Sequence, residues 1–406
     1  MRRYSASLLA IAGAAAALGA PPPPPPPPRW TSSWEAAPQL TEVANDPPLP
    51  LAGTVVRQVL HASAGGATLR VQFGNVFGGG PVEVLAAHIA ASAAAAGAPV
   101  DSSILASSDV PLTFAGAGAT TIAAGACVWS DPVAFALPPL SNLVVTTAFG
   151  AASVNVSGHP GSRTTSYQLE GADVSAPSMP AALTAPHWYV LSGLDVAGGP
   201  APARATIVLG DSITDGRGST TDMNDRWPDV LANRLLAPNS TRANITSLVN
   251  AGIGGNAITG GGLGPTALAR FSRDVLGRSG AACVVIFEGV NNTGAGVSAP
   301  AVVAGLEQLR DEAAAAGLKV FGATITPFGG NAPYYSAAHE AARQAVNAFI
   351  RGGSFDAVLD FDTVLTDGGS PPKLRPEFDS GDGLHPNPAG YRALAGSVDL
   401  AIFDGL

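Results

Sequence analysis

Apolar and polar positions follow two different rhythms along this chain. Up to about residue 197 the apolar runs are short and separated by Gly-rich breaks: Thr54–His61, Ala67–Phe73, Val82–Ala91, Leu143–Phe149 and Trp188–Leu191. In the second run Leu69, Val71 and Phe73 alternate with Arg70 and Gln72, the period of a strand with one buried face. A β-sandwich over residues 30–197 is the natural expectation. Ala93–Ala96, closely flanked by Ser92 and Gly97, is too short to read as a helix. Gly198-Gly199-Pro200-Ala201-Pro202 breaks the composition, and beyond it the rhythm changes. Continuous apolar runs at Ala205–Leu209, Ser247–Val249, Cys283–Phe287, Val320–Ile325 and Ala357–Phe361 read as strands buried on both faces. Between and after them, Pro228–Leu236, Ala301–Ala316, Ser336–Ile350 and Pro388–Phe403 read as helices. Strand–helix alternation requires crossover connections, so residues 198–406 are expected to form a parallel sheet covered by helices on both faces. Ligands of such folds bind beyond the carboxyl ends of the strands.

Composition supports a folded chain of two domains. Of 406 residues, 46% are hydrophobic and 13% charged, which supplies core material and excludes wholesale disorder. The net charge of -9, with no basic stripe or tail, excludes a nucleic-acid partner. The first residues carry an address: Met1-Arg2-Arg3, then the apolar run Leu8–Leu18, then small residues Gly19 and Ala20. That is the pattern of a secretory signal peptide over residues 1–20, and the run is shorter than a membrane span, so no stable membrane insertion is expected. Pro21–Pro28 follows as a stiff polyproline spacer, a linker over residues 21–29. Secretion permits a disulfide between the two cysteines, Cys127 and Cys283, but Cys283 opens an apolar strand and a buried thiol fits it equally well. Sequons at Asn155, Asn239 and Asn244 would accept glycans in a eukaryotic host, making this a glycoprotein; Asn291-Asn-Thr fits the pattern too.

The candidate chemistry lies in four blocks, in order: Gly210-Asp-Ser212-Ile-Thr, Gly252-Ile-Gly-Gly255-Asn, Gly289-Val-Asn291-Asn and Asp382-Gly-Leu-His385-Pro. Each of the first three falls just after an expected strand, so Ser212, Gly255 and Asn291 would meet at one edge of the sheet. Ester cleavage needs an activated hydroxyl, a base near neutrality and donors for the oxyanion. Ser212 is the candidate nucleophile. His385 is the candidate base, the one histidine of six with an acid three residues earlier; Asp382 can fix its tautomer, with Asp379 as a rival. The Ser212 N–H, the Gly255 N–H and the Asn291 amide are the candidate oxyanion donors. No metal or other cofactor is implied, for no histidine pair has helical ligand spacing and there is no cysteine cluster.

This constellation resembles the SGNH (GDSL-type) hydrolase superfamily, whose four blocks are named for the residue types at Ser212, Gly255, Asn291 and His385. Gly210-Asp-Ser-Ile-Thr-Asp-Gly-Arg-Gly-Ser-Thr, Arg226-Trp-Pro-Asp229 and Asn250-Ala-Gly-Ile-Gly-Gly-Asn256 also resemble signatures of a secreted subgroup with an N-terminal β-rich domain. Gly53-Thr-Val-Val-Arg-Gln-Val59 and Ser130-Asp-Pro-Val133 are similar to segments of that domain. The resemblance implies a flavodoxin-like three-layer α/β/α domain and a Ser-His-Asp acyl-enzyme mechanism on carboxylic esters. One departure is Asn292, where the family usually has an acid; an isosteric amide there implies a modest effect on rate. Secretion and the attached sandwich suggest acetyl esters on polysaccharides. The alternatives are a short-chain lipase or general carboxylesterase, and a carbohydrate-binding protein whose hydrolase domain has decayed.

Overall fold

The computed structural model describes residues 29–95, 97–199, 204–236 and 246–406. The leader, the run Pro21–Pro28, Ala96, Pro200-Ala201-Pro202 and the sequons at Asn239 and Asn244 lie outside the described residues. The N-terminal part is an antiparallel sandwich. One sheet has five strands: β1 (Thr31–Glu35), β7 (Leu191–Ala197) and β3 (Gly66–Gly74) in that order, with Cys127–Trp129 and Val133–Leu137 both pairing with β3. The other has seven, centred on β2 (Thr54–Ala62), β5 (Ser141–Phe149) and β4 (Val82–Ala91), with β6 (Ser166–Glu170) on the far side of β2. Leu69, Val71 and Phe73 of β3 are buried, as their alternation requires. They pack with Leu60, Val84 and Leu143 into one apolar core between the sheets. Trp34 and Trp188 meet edge to face in this core at 4.8 Å, and Arg70 lies between Trp30 and Trp129, 4.6 and 4.2 Å from their rings. All four tryptophans of the sandwich are therefore engaged internally. Cys127 and Cys283 are both free thiols, one exposed in the sandwich and the other buried in the second domain.

A third, small sheet is formed by Gln39–Leu40, Ser157–His159 and Trp188–Tyr189. It carries His159, whose Nε2 lies 2.8 Å from Asp215 Oδ1 and whose Nδ1 lies 2.9 Å from the Ala37 carbonyl. This buried contact joins the two halves of the chain. A second seam runs along β1: Ser32 N–H donates to the Ser279 carbonyl at 2.8 Å, Ser247 Oγ donates to the Ser32 carbonyl at 2.6 Å, and Arg278 lies 2.8 Å from Glu35.

The second half is a five-stranded parallel sheet: β8 (Ala205–Gly210), β9 (Ser247–Gly252), β10 (Ala281–Phe287), β11 (Lys319–Ala323) and β12 (Ala357–Leu359), in the order 9-8-10-11-12. That is the flavodoxin-like order, with β8 between β9 and β10 at the point where the winding reverses. Every residue of β8 is buried, which explains its unbroken apolar run. Helices α2 (Trp227–Leu236), α5 (Ala299–Ala315), α6 (Ala337–Arg351) and α8 (Pro388–Ser397) flank the sheet, α2 beside α8 and α5 beside α6. Among the described residues no helix is long and apolar enough to cross a membrane.

Candidate active site

Strand β8 ends at the reversal point and the chain turns at once into a four-residue helix, Ser212–Asp215. Asp211 makes the turn: its backbone is extended and its carboxylate accepts the Ile213 N–H at 2.9 Å, capping the helix. Ser212, the first helical residue, is thereby presented at the carboxyl edge of the sheet. Its Oγ lies 2.8 Å from His385 Nε2, and His385 Nδ1 lies 2.6 Å from Asp382 Oδ2. The other oxygen of Asp382 accepts the Leu384 and His385 N–H groups at 3.0 and 2.8 Å, so the carboxylate is locked to its own loop. With Nδ1–H donated to Asp382, Nε2 is left as the acceptor of the serine proton. Asp379, the rival acid, is spent on the Gly381 and Gly383 N–H groups and shapes the loop instead.

The remaining histidines have other partners. His61 faces Asn142, His88 faces Asp109, His187 donates to Pro160, and His339 bonds the Tyr334 carbonyl. His159 is the nearest rival, but both of its nitrogens are occupied.

Gly255 and Asn291 come to the same cleft as Ser212 and His385. Gly255 has φ +72, which a side chain rarely adopts, and a Cβ there would press on Leu263 at 2.9 Å. Among the described residues nothing accepts the backbone N–H of Ser212 or of Gly255. Asn291 sits in the short helix α4 (Val290–Gly294; α3, Ala267–Phe271, precedes it). Its Nδ2 donates to the Asn256 carbonyl at 2.6 Å and its Oδ1 accepts the Tyr334 hydroxyl at 2.6 Å. An amide nitrogen has two hydrogens, so one remains for a ligand while these two bonds fix the orientation of the group. Asn292 is buried, accepts the Ile258 N–H at 2.9 Å and donates to Thr259 Oγ1 at 3.4 Å. The backbone-supporting bond that an acid would make there is thus kept by the amide.

Below the cleft lies a residue that nothing in the local sequence flagged. Arg270 is fully buried and its guanidinium donates to the carbonyls of Gly210 and Ala251 and to Asn256 Oδ1, and lies 3.4 Å from Glu288. One side chain therefore ties the ends of β8 and β9, the glycine loop and the approach to Asn291. It belongs to a buried cluster in which Asp274, contacted by Arg270, Arg273 and Arg278, stays charged against the cost of burial, its proton affinity held below the ordinary carboxylate range. Burial wins at Asp211, pushed up to about 7, and at Glu288, pushed up to about 8.

Burial also dominates at His385 and, reinforced by the charges of Arg217 and Arg163, outweighs the pull of Asp382, so the imidazole stays below its ordinary proton affinity. Burial opposes the charge of Asp382, but the His385 N–H and ring hold it below the usual carboxylate range. The result is a neutral base beside a charged acid near neutral pH, the protonation pattern that acyl transfer needs.

The cleft has a volume of about 450 Å³ and draws walls from both halves of the chain. The sandwich contributes Glu42, Pro160, Arg163 and His187; the sheet domain adds Arg217, Leu263 and Tyr334. The structure brings together the five residues named from short local motifs, Ser212, Gly255, Asn291, Asp382 and His385. Tyr334, Arg270 and the whole sandwich wall carry no local sequence signal, because these join the site only through tertiary packing.

A 2-1-3-4-5 parallel sheet bearing a serine, a histidine and an aspartate in hydrogen-bonded sequence at its carboxyl edge is the architecture of an SGNH-type hydrolase. Residues 208–393, most of the sheet domain, match the model of the GDSL-like lipase/acylhydrolase family. Similar solved structures include a GDSL-like lipase from Bacteroides thetaiotaomicron VPI-5482, at 18% identity, covering 50% of this chain and 89% of that one with a TM-score of 0.39. A member of the lipolytic G-D-S-L family from Veillonella parvula DSM 2008 aligns at 17% identity over 48% of this chain and 96% of that one, TM-score 0.34. TesA aligns at 26% identity over 48% and 96%, TM-score 0.37. No curated protein sequence matches the chain.

Proposed function

We propose that this protein is a secreted serine esterase that cleaves carboxylic esters by two-step acyl transfer. The observation that carries the reading is the unbroken relay from Ser212 Oγ to His385 Nε2 at 2.8 Å and from His385 Nδ1 to Asp382 at 2.6 Å. Ser212 attacks the ester carbonyl as His385 takes its proton and Asp382 holds the ring. The tetrahedral oxyanion is met by the Ser212 and Gly255 N–H groups and the free hydrogen of the Asn291 amide. His385 then returns the proton to the departing alcohol, and water repeats the sequence on the acyl-enzyme.

The lining has few aliphatic side chains, Leu263 and Pro160 beside Tyr334 and many polar residues, and among the described residues offers no long apolar channel, which favours short acyl groups over long chains. An open cleft walled partly by a second domain suits a polymeric alcohol, so acetyl esters of polysaccharides are the proposed substrates; a general short-chain carboxylesterase is the alternative. The assembled relay weighs against a decayed binding protein. Secretion is proposed on the charged, then apolar, then small-residue order of the first twenty residues. The test is acetate release from 4-nitrophenyl acetate, longer acyl analogues and acetylated xylan by wild type and Ser212→Ala. Activity on short esters that falls to background in the variant is expected. Silence of the wild type on every ester would overturn the reading.

A further inference from the structure

The cleft mixes charges of both signs in a protein whose net charge is -9, and what sets its two arginines apart is that their guanidinium groups lack hydrogen-bond partners among the described residues. Glu42 is held by the side-chain amides of Gln39 and Asn45 at 2.7 and 3.0 Å. Asp215 Oδ1 lies 2.8 Å from His159 Nε2, its Oδ2 is buried without a partner among the described residues, and Asp382 is held by His385. The guanidinium groups have no such commitments. Arg163 makes no side-chain hydrogen bond or ion pair among the described residues, and its Nε is buried without a partner. It lies on the turn after the small sheet with φ +51, a left-handed conformation unusual for a side-chain-bearing residue. Arg217 is largely exposed, and its one charged neighbour is Asp382 at 4.0 Å, beyond hydrogen-bond reach.

Both arginines line the cleft with Ser212 and His385, and the charge of both lowers the proton affinity of His385. His385 is the group that hands a proton to the leaving alcohol, so the alcohol lies on this side of the cleft. Resting on the esterase reading of the same site, we propose that Arg163 and Arg217 form an anion subsite for the alcohol portion, and that the substrates are esters of alcohols bearing a carboxylate. The planar guanidinium fork matches a carboxylate in a way that no neutral sugar hydroxyl does. Arg163 comes from the sandwich and Arg217 from the sheet domain, which gives the N-terminal half a direct part in substrate choice.

The test uses two acetyl esters that differ in charge and little else, 3-acetoxybenzoate and 3-acetoxybenzamide, with the full chain. The wild type is expected to prefer the benzoate by about tenfold or more in kcat/KM, the size of a charge-assisted pair. The preference should reside mainly in KM and shrink as salt is raised. In the double variant Arg163→Gln/Arg217→Gln the two probes should be cleaved alike, and Arg163→Lys should recover part of the preference. Equal cleavage by the wild type, or a preference that survives the double variant, overturns the subsite while leaving the esterase standing. Cleavage of neither probe overturns both.

Discussion

Ser212, His385 and Asp382 are set by two segments, the turn after β8 that presents Ser212 and the single loop that carries both Asp382 and His385, and the chemistry at this scale is decided by which groups stay neutral. Because burial holds His385 below the ordinary histidine value, its neutral form persists to lower pH. The acid limb of the kcat/KM profile should therefore fall below pH 6.5, the free-histidine value. A limb at or above 6.5 would contradict the assignment of His385 as the essential base. Asn291→Ala removes an oxyanion donor and should lower kcat by about 10²- to 10³-fold. Tyr334→Phe removes the hydroxyl that orients Asn291, and should lower kcat by about tenfold with KM little changed. A loss confined to KM would show that Tyr334 contacts substrate instead. The five residues named from sequence were legible because each sits in a short block directly after a strand or within one turn of its partner. Tyr334 and Arg163 lie in loops with no such frame, and only the folded chain brings them in.

At the scale of elements, the strands after residue 204 were readable because burial on both faces leaves an unbroken apolar run, as in β8 and β10. Their ends were less so, and side chains explain why. The run Val320–Ile325 outlasts its strand: β11 stops at Ala323, Thr324 Oγ1 bonds Asp360, and the Ile325 N–H is taken by Asn347. The run Ala357–Phe361 ends early for a related reason, since Asp360 caps the helix Phe361–Leu365 (α7). The helix expected over Pro388–Phe403 divides at Val398, where the backbone turns extended and Asp399 caps a separate turn, Leu400–Phe403. Arg270 is the element-scale tie, and apolarity gives no hint of it. Arg270→Leu strips Glu288 of its arginine and leaves the buried Gly210 and Ala251 carbonyls without that donor, while Asp274 keeps Arg273 and Arg278; it should cost about 3–5 kcal/mol of stability. It should also reduce kcat, because the glycine loop and the end of β8 lose their common anchor. Chemical denaturation of that variant with an unchanged midpoint would contradict this account.

For the molecule as a whole, the sandwich and the sheet domain share a seam of hydrogen bonds along β1 and a buried His159–Asp215 contact. Such a seam predicts that the two halves unfold together. Among the described residues the α-helices lie beyond residue 211 and four of the five tryptophans lie before it. Far-ultraviolet dichroism and tryptophan signals thus report different halves, and their denaturation curves should coincide. Two separated transitions would mean that the seam couples the halves weakly. The two-part architecture was legible from the change in rhythm near residue 198. That the sandwich walls the cleft was not, because no local pattern records which loops face the neighbouring domain.

An activated Ser212 should be captured covalently by a fluorophosphonate. The account predicts a single phosphonyl adduct by intact mass, mapped to the peptide containing Ser212, absent in Ser212→Ala and formed far more slowly in His385→Gln. A wild-type protein that takes up no label, or takes it on another residue, would contradict the account.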